Sequence, residues 1–384
     1  MKHTTVLISG ASIAGPALAF WLARYGYDVT VVERAPQLRL GGQAVDFKGA
    51  THRTVLDRMG LLDAVRERQT GGHDQTIIDE HGKSLAVIPG EFTGGEIEIS
   101  RGDLASLLYS RTAGHCEYVF GDSVTSLTET GDKVHVTFAG SAPRSFDLVV
   151  GADGIHSNVR RLAYGPEPDY VTFLGHYYAL VTLGAGPGGT GDDEAVMYNE
   201  PGRMVALGGP KAPAFFVFRS PERQYDRYDP EAAKRILRDA YRGGRWRVPE
   251  ILDRLDGADD VYLDSLSRSQ VPSYSKGRVA LLGDAAYGNT LGGFGTGLAV
   301  VGAYVLAGEL RAANGDFRTA FAAYESAFRG YAKISKQGSA GPFLAPGSRA
   351  RMTMRNWTFQ SPWLLRMMLK MTDNFANDIE LKQY

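Results

Sequence analysis

With 384 residues, 43% of them apolar, the chain is long enough for two domains or for one large fold carrying an inserted sheet. Its 42 lysines and arginines stand against 43 acidic residues, a formal charge of −1, so no global field recruits nucleic acid or an anionic membrane, and neither is expected as a partner. The single cysteine, Cys116, excludes an internal disulfide and a thiolate metal cluster; the eight histidines lack metal-ligand spacing, so no metal is expected, and a reducing, cytoplasmic location is.

The first element is a strand, Thr4 to Ser9 (TTVLIS), rich in β-branched and apolar residues as a strand buried on both faces should be. The turn ISGASIAG follows, with Gly10, Ser12, Ala14 and Gly15, then a helix through Ala17 and Trp21 that Gly26 ends. A second strand, Asp28 to Val32, closes on Glu33 and Arg34. This strand, turn, helix, strand and acid sequence places a pyrophosphate at the helix N-terminus and a ribose against the acid. Gly10 permits the tight turn and Gly15 the close packing of helix on strand. Ser12 replaces the middle glycine, and its hydroxyl is able to donate to a phosphate oxygen. The glycines interrupt the apolar run where strand gives way to helix, so the N-terminus reads as folded structure and not as a signal peptide.

Farther along come a loop arginine, Arg39, the segment AVDFKG with Asp46, and EISRGDLASLL, where Arg101 precedes a helix. Phe146 to Gly154 (FDLVVGADG) is an apolar strand running into Asp153-Gly154, with Ser157 and Arg160-Arg161 after it. Next, FLGHYYALVTL, EAVMYNEPGRMVALGGP and APAFFVFRS read as strands separated by turn signals, and residues 226 to 256 as charged surface helices. Arg278 to Asp284 (RVALLGD) is another apolar strand; the glycine-rich GNTLGGFGTG and a small-residue helix follow it. The end, SPWLLRMMLKMTDNFAND, has apolar residues at helical spacing and reads as a terminal helix bracing the fold.

The dinucleotide turn, the GADG segment with Ser157 and Arg160, and RVALLGD, in that order, resemble a flavoprotein monooxygenase of the para-hydroxybenzoate hydroxylase type, over roughly residues 4 to 330. Within that family, GGQAVDFKGATHRTVLDRMGLL, IIDEHGKSLA and EISRGDLASLL are most similar to the tetracycline-inactivating flavin monooxygenases. The resemblance implies an α/β fold: a discontinuous Rossmann-like FAD-binding domain (1–72, 97–168 and 272–330), an inserted, mostly antiparallel β-sheet substrate domain (73–96 and 169–271), and C-terminal helices (331–384). It implies FAD as cofactor, NADPH or NADH as transient reductant, and molecular oxygen and an aromatic or enolic small molecule as substrates, hydroxylated through a flavin C4a-hydroperoxide. A monomer or weak homodimer is expected.

The same resemblance assigns roles. Glu33, with Arg34 beside it, would hold the adenosine ribose, and Arg39 and Arg101 the pyrophosphate. Asp46 would pass beside the flavin, and Asp284 would bind ribityl or pyrophosphate oxygens. The backbone of Phe294, Gly295, Thr296 and Gly297 at a helix start would stabilise charge on the reduced ring. Asp153, with Arg160 near it, would border the groove for the nicotinamide cofactor. His176, Tyr178, Met197, Phe216 and Phe218 are the candidates for lining the substrate pocket, with sheet core as the alternative for each. Tyr287, Leu291 and Gly297 depart from the family's histidine, proline and asparagine or serine, which bears on how closely the ring is held. Two other functions fit the same fold. One is a flavin halogenase or prenyl-lipid reductase, the halogenase disfavoured because no two of the four tryptophans have the WxWxIP spacing. The other is an FAD-binding cyclase or binding protein without redox chemistry.

Overall fold

The β-branched run Thr5–Ser9 forms β1, its last four residues fully enclosed, and α1 (Ala14–Arg24) packs back over it before β2 (Asp28–Glu33) runs parallel to β1. The chain continues through β3 (Ala44–Phe47), α2 (Gly49–Arg58), α3 (Leu62–Glu67), β4 (Gln75–Ile78), β5 (Ser84–Ile88), β6 (Ile97–Ser100) and α4 (Arg101–Ser110). Strands β7 (Glu117–Phe120), β8 (Val124–Thr130), β9 (Lys133–Phe138), β10 (Arg144–Phe146) and β11 (Leu148–Gly151) precede α5 (Asn158–Ala163). After these come β12 (Val171–Val181), β13 (Val196–Glu200), β14 (Arg203–Leu207), β15 (Ala214–Arg219), α6 (Pro230–Tyr241), α7 (Val248–Asp253) and β16 (Val261–Ser269). The remainder is β17 (Ser275–Lys276), β18 (Val279–Leu281), α8 (Asp284–Tyr287), α9 (Gly295–Ala312), α10 (Phe317–Phe328), α11 (Ala340–Leu344) and α12 (Arg349–Gln360). This is a computed structural model, and it describes residues 4–39, 41, 43–90, 92, 96–183, 195–208, 214–258, 260–336, 338–367 and 379–384. The glycine-rich turn stretches of 184–194 and 209–213, and most of the terminal segment expected to be helical, lie outside them.

Two sheets organise the chain. The first has the order β17-β18-β11-β1-β2-β7, parallel except for the β17–β18 pair, with β1 in the middle. Its central strand is fed by a crossover helix, which is why its residues are apolar on both faces. The second, β16-β12-β15-β14-β13-β4-β5, is antiparallel apart from β13 against β4. Alternation along its strands sends Tyr177, Phe216 and Phe218 to one face, where they pack with Leu237 and Tyr241 of α6; Tyr178, Met197 and Val217 go to the other, with Ala345 and Phe359 from the C-terminal helices. A small sheet, β10-β9-β8, and the β3–β6 pair complete the strands.

Helix α9 is buried from Gly297 to Leu310 without interruption. Three of its glycines each face a ring: a Cβ on Gly297 would enter the His52 imidazole, one on Gly302 would meet the Tyr287 hydroxyl, and one on Gly308 would overlap the Tyr384 ring. His52 is held as well as packed. Its Nδ1 accepts from the Lys48 backbone N–H at 3.0 Å, which leaves the hydrogen on Nε2 to donate to the Tyr331 hydroxyl at 2.9 Å.

Two measurable consequences follow from this packing. A Cβ on Gly15 would run into the carbonyl oxygen of Gly10, a backbone atom with no rotamer to relieve it. Gly15→Val should therefore lower stability by roughly 1–3 kcal/mol or more, read as a fall in Tm, and an unchanged Tm would mean the turn has slack. Burial, aided by the Lys48 ammonium, draws His52 down from 6.5 to about 4, so it stays neutral in the folded chain. The unfolded chain takes up this proton near 6.5 and the folded one near 4. The stabilisation is therefore complete above about pH 6.5 and is lost as pH falls toward 4, roughly 3 kcal/mol in all. His52→Gln should flatten the stability profile in that window; a profile as steep as that of the unsubstituted protein would assign the acid sensitivity to another group.

Candidate functional site

The three glycine-bearing motifs, distant in the chain, meet at the ends of β1, β11 and β18. Gly10, at φ 109°, lies so close to the GADG segment that a Cβ would stand 2.5 Å from the Ala152 carbonyl oxygen, and its N–H donates to Val32 O at 2.8 Å. Gly283, at φ 64°, ends the RVALLGD strand so close to α1 that a Cβ on it would stand 3.2 Å from the Ala14 side chain. The Glu33 carboxylate spans the turn, accepting from Ala11 N–H and Ala35 N–H at 2.8 Å each. A carboxylate has further lone pairs, which ribose hydroxyls could use.

Helix α1 starts without a side-chain cap and without an acid in its first turn, so its N–H groups face the turn unopposed. Above them Ser12 Oγ accepts from Arg101 Nε at 3.2 Å and Nη2 at 3.0 Å. The serine that breaks the glycine pattern is thus the seat of the arginine. Arg101 itself is placed by α4, whose N-cap Ser100 accepts from Asp103 N–H. An uncapped helix start plus an exposed guanidinium makes a place for a pyrophosphate.

Asp284 lies next to this position. Its side chain is reachable by solvent although protein surrounds it, as for a group on the floor of a cleft, and it makes no hydrogen bond to any described residue. Burial pushes its carboxyl up, and the Arg101 guanidinium pulls it back. Its Oδ1 stands 3.4 Å from where a Cβ on Gly295 would be, at the start of α9, a second helix without a side-chain cap or first-turn acid. An accessible carboxylate facing two helix N-termini, with no Cβ to fill the space between, fits the ribityl and phosphate groups of a dinucleotide flavin.

Beside the glycine-rich loop, Asp46 and Lys48 form an ion pair at 2.8 Å, both largely sheltered, and the Lys48 ammonium lies 5.3 Å from the centre of the Phe294 ring. Lys48 escaped notice in the sequence; the available signal was its spacing, since i and i+2 on an extended segment share a side. Thr296 is half-buried and Gly297 is fully occupied by His52. Glycine at 297 therefore answers a histidine at 52, and tyrosine at 287 answers the glycine at 302, its hydroxyl 3.3 Å from that of Tyr324. Both departures belong to the back of α9. Leu291 adopts φ 58°, a left-handed conformation unusual for a leucine, next to the loop.

Several expected roles are corrected. Asp153 is half-buried and its carboxylate is turned to α5, accepting from Ser157 Oγ, from Asn158 N–H at 2.9 Å and from Val159 N–H at 3.0 Å, and so caps that helix. Arg160 is fully buried, donating to Ala285 O at 2.9 Å and Ile155 O at 2.6 Å. Neither is free to meet a nicotinamide cofactor. Phe216 and Phe218 lie under α6, on the face of the sheet opposite Tyr178 and Met197, and are core. His176 is sealed beneath Gly341 of α11 with Nδ1 on Leu174 O at 3.2 Å. Met197 is buried among Tyr178, Met204 and Val217. Tyr178 feels the charges of Arg101 and Asp284, whereas His176 feels that of Arg219. Its hydroxyl joins that of Tyr262, which donates to Asp264 Oδ2 at 2.9 Å. Arg39 is exposed and contacts no described residue by hydrogen bond or ion pair, while the Arg34 guanidinium stacks 3.7 Å over the Tyr228 ring. The spacing rules also missed His156, which bridges Glu167 at 2.8 Å and Asp264 of β16 at 2.9 Å, the two carboxylates holding its pKa up against desolvation.

Comparison with known proteins agrees with this fold. A family model described as an FAD binding domain matches residues 3–319. A flavin-dependent monooxygenase of Legionella longbeachae is 35% identical over 346 residues, 88% of this chain and 88% of its own. An FAD-dependent monooxygenase of Sarocladium schorii is 33% identical, covering 100% of this chain and 96% of its own. Among solved structures, the tetracycline destructase Tet(51) aligns with a TM-score of 0.85 at 29% identity over 99% of this chain and 100% of that one. HpxO of Klebsiella pneumoniae, solved with FAD and uric acid, aligns at 0.71 and 22% identity over 97% of each chain, a likeness of fold. The chain belongs to the FAD-binding-domain family and is an FAD-dependent monooxygenase of the flavoprotein class.

Proposed function

We propose that the protein consumes NADPH or NADH to hydroxylate an aromatic or enolic small molecule, with polyketide-type natural products, tetracyclines among them, as the class to examine first. The observation that carries the reading is Asp284, an accessible carboxylate without a hydrogen-bonding partner among the described residues, at the point where α1, α9 and Arg101 converge. The relatives support the substrate class: one of the most similar folds is named for tetracycline destruction.

Bound FAD would supply the redox chemistry, accepting reducing equivalents from the nicotinamide and activating molecular oxygen. The protein's part is to bind and orient. Glu33 would take the ribose hydroxyls while it braces the turn through Ala11 and Ala35. Arg101, seated on Ser12, and the N–H groups of α1 would neutralise the pyrophosphate. Asp284 would accept from the ribityl hydroxyls, and the uncapped start of α9 would face the ring and favour negative charge there. The Tyr178 face of the second sheet would roof the ring and exclude water.

The purified protein should be yellow and release FAD on denaturation. Asp284→Ala should weaken FAD binding about ten- to hundred-fold, since a hydrogen bond to a charged group is worth roughly 1.5–3 kcal/mol. Colourless protein that also fails to take up added FAD would remove the reading at its root. With the flavin in place, oxygen consumption dependent on NADPH or NADH should rise when tetracycline or another enolic polyketide is added. No response across a panel of aromatic and enolic compounds would favour an FAD-binding protein without redox turnover.

A further inference from the structure

One cation, Lys48, lies over the glycine-rich loop before α9. Lys48 follows β3 directly and forms the N-cap position of α2, a helix start with no side-chain cap of its own. Its Nζ is 2.8 Å from Asp46 Oδ2, 5.3 Å from the centre of the Phe294 ring and 3.8 Å from where a Cβ on Gly293 would be. The side chain is only 12% exposed, so the ammonium is held in place and sheltered from solvent screening. Its backbone is fixed too, because the N–H is taken by His52, itself wedged against Gly297 and bound to Tyr331. Arg101, by contrast, is an exposed group seated on Ser12 at the other end of the site. The two cations therefore serve different parts of a long ligand.

We propose that Lys48, anchored by Asp46, is the charged side chain that sets the reduction potential of the bound flavin. This rests on the FAD reading above. Two-electron reduction with uptake of one proton turns a neutral ring into an anion, and a fixed ammonium beside the ring's loop stabilises that anion over the oxidised form. Asp46 opposes it: the carboxylate holds the ammonium in position and offsets part of its field. An α9 N-terminus carrying only partial charge then acts together with a full charge whose position the His52 contact guarantees.

The opposite signs of Lys48 and Asp46 give the test. The midpoint potential of the FAD-loaded protein is measured by dithionite titration against a reference dye at fixed pH, for the unsubstituted protein, Lys48→Met, Lys48→Arg and Asp46→Asn. Lys48→Met should move the oxidised–reduced equilibrium about tenfold or more toward the oxidised form, a fall of about 30 mV for a two-electron couple. Lys48→Arg should restore the original potential, and Asp46→Asn should raise it. The shifts should persist at high salt, because the ammonium is sheltered. A purely structural pair would send Lys48→Met and Asp46→Asn the same way. An unmoved potential in Lys48→Met, or parallel shifts in the two variants, would overturn the proposal and leave the flavin assignment intact. Should Lys48→Met fail to hold FAD, Asp46→Asn decides alone: a potential at or below the original overturns it. An unsubstituted protein without FAD would end both readings.

Discussion

The structure depends on how one helix is aimed. Helix α9 is buried along nearly its whole length, and three glycines on it each receive a ring from another part of the chain: His52 from α2, Tyr287 from α8, and Tyr384 from the chain's end. Each ring takes the room a side chain on the helix would have occupied, so the helix cannot slide or turn without a clash. The last ring is fastened in addition by hydrogen bonds. Tyr384 Oη donates to Glu309 at 2.7 Å, Lys382 Nζ reaches the same carboxylate at 2.6 Å, and Lys382 O accepts from Arg58 and Tyr304. A helix held in this way presents its uncapped N-terminus to a fixed point, and Asp284 stands at that point.

The opposite end of the site is built on the same economy of side chains. At the ends of β1, β11 and β18 the backbone approaches itself so closely that Gly10 and Gly15 exclude any substituent, and Gly283 leaves little room for one. Backbone N–H groups then do what side chains do elsewhere, and the one long cation needed, Arg101, is brought in from a separate helix and set on Ser12. Buried polar groups nearby keep their partners inside the protein. Asp153 caps α5, and Arg160 closes on carbonyls of the GADG and GD segments, so the two motifs are welded behind the site and do not open onto it.

That division explains what could be read in advance. The parallel sheet and the meeting of the glycine-bearing motifs at its strand ends are legible because each motif is local: an apolar strand, a glycine turn, an acid or aspartate at a set distance. What escaped was complementarity between residues far apart in the chain. Gly297 and Tyr287 look like departures from a pattern until His52 and Gly302 are seen opposite them. Strand alternation gives the sheet two faces, but which face meets α6 is settled by tertiary packing, which takes Phe216 and Phe218 into the core, the alternative open to them, and leaves Tyr178 on the other side. An aspartate after an apolar strand, such as Asp153, serves either as a ligand or as a cap, and the local sequence of the strand does not separate the two. The following Ser157 and the helix after it favour the cap.

The two ends of the site differ in electrostatic character, and the difference follows from solvent. A pyrophosphate carries its charge whether or not the cofactor is reduced, so a partner for it can be exposed: Arg101 lies in the open, and screening would cost it little because the charge it would meet is permanent and close. Charge on the ring changes during turnover, and a group that responds to it must be fixed beforehand and kept dry, or its field is lost in reorienting water. Asp46, Lys48 and the neutral His52 meet that condition, each sheltered and each held by a neighbour. The neutrality of His52 matters here, since a proton on Nδ1 would break the hydrogen bond it accepts from Lys48 N–H and set a second cation beside the ammonium. Desolvation and the ammonium act on the imidazole in the same direction, and together they leave Lys48 as the single positive charge of this cluster of described residues.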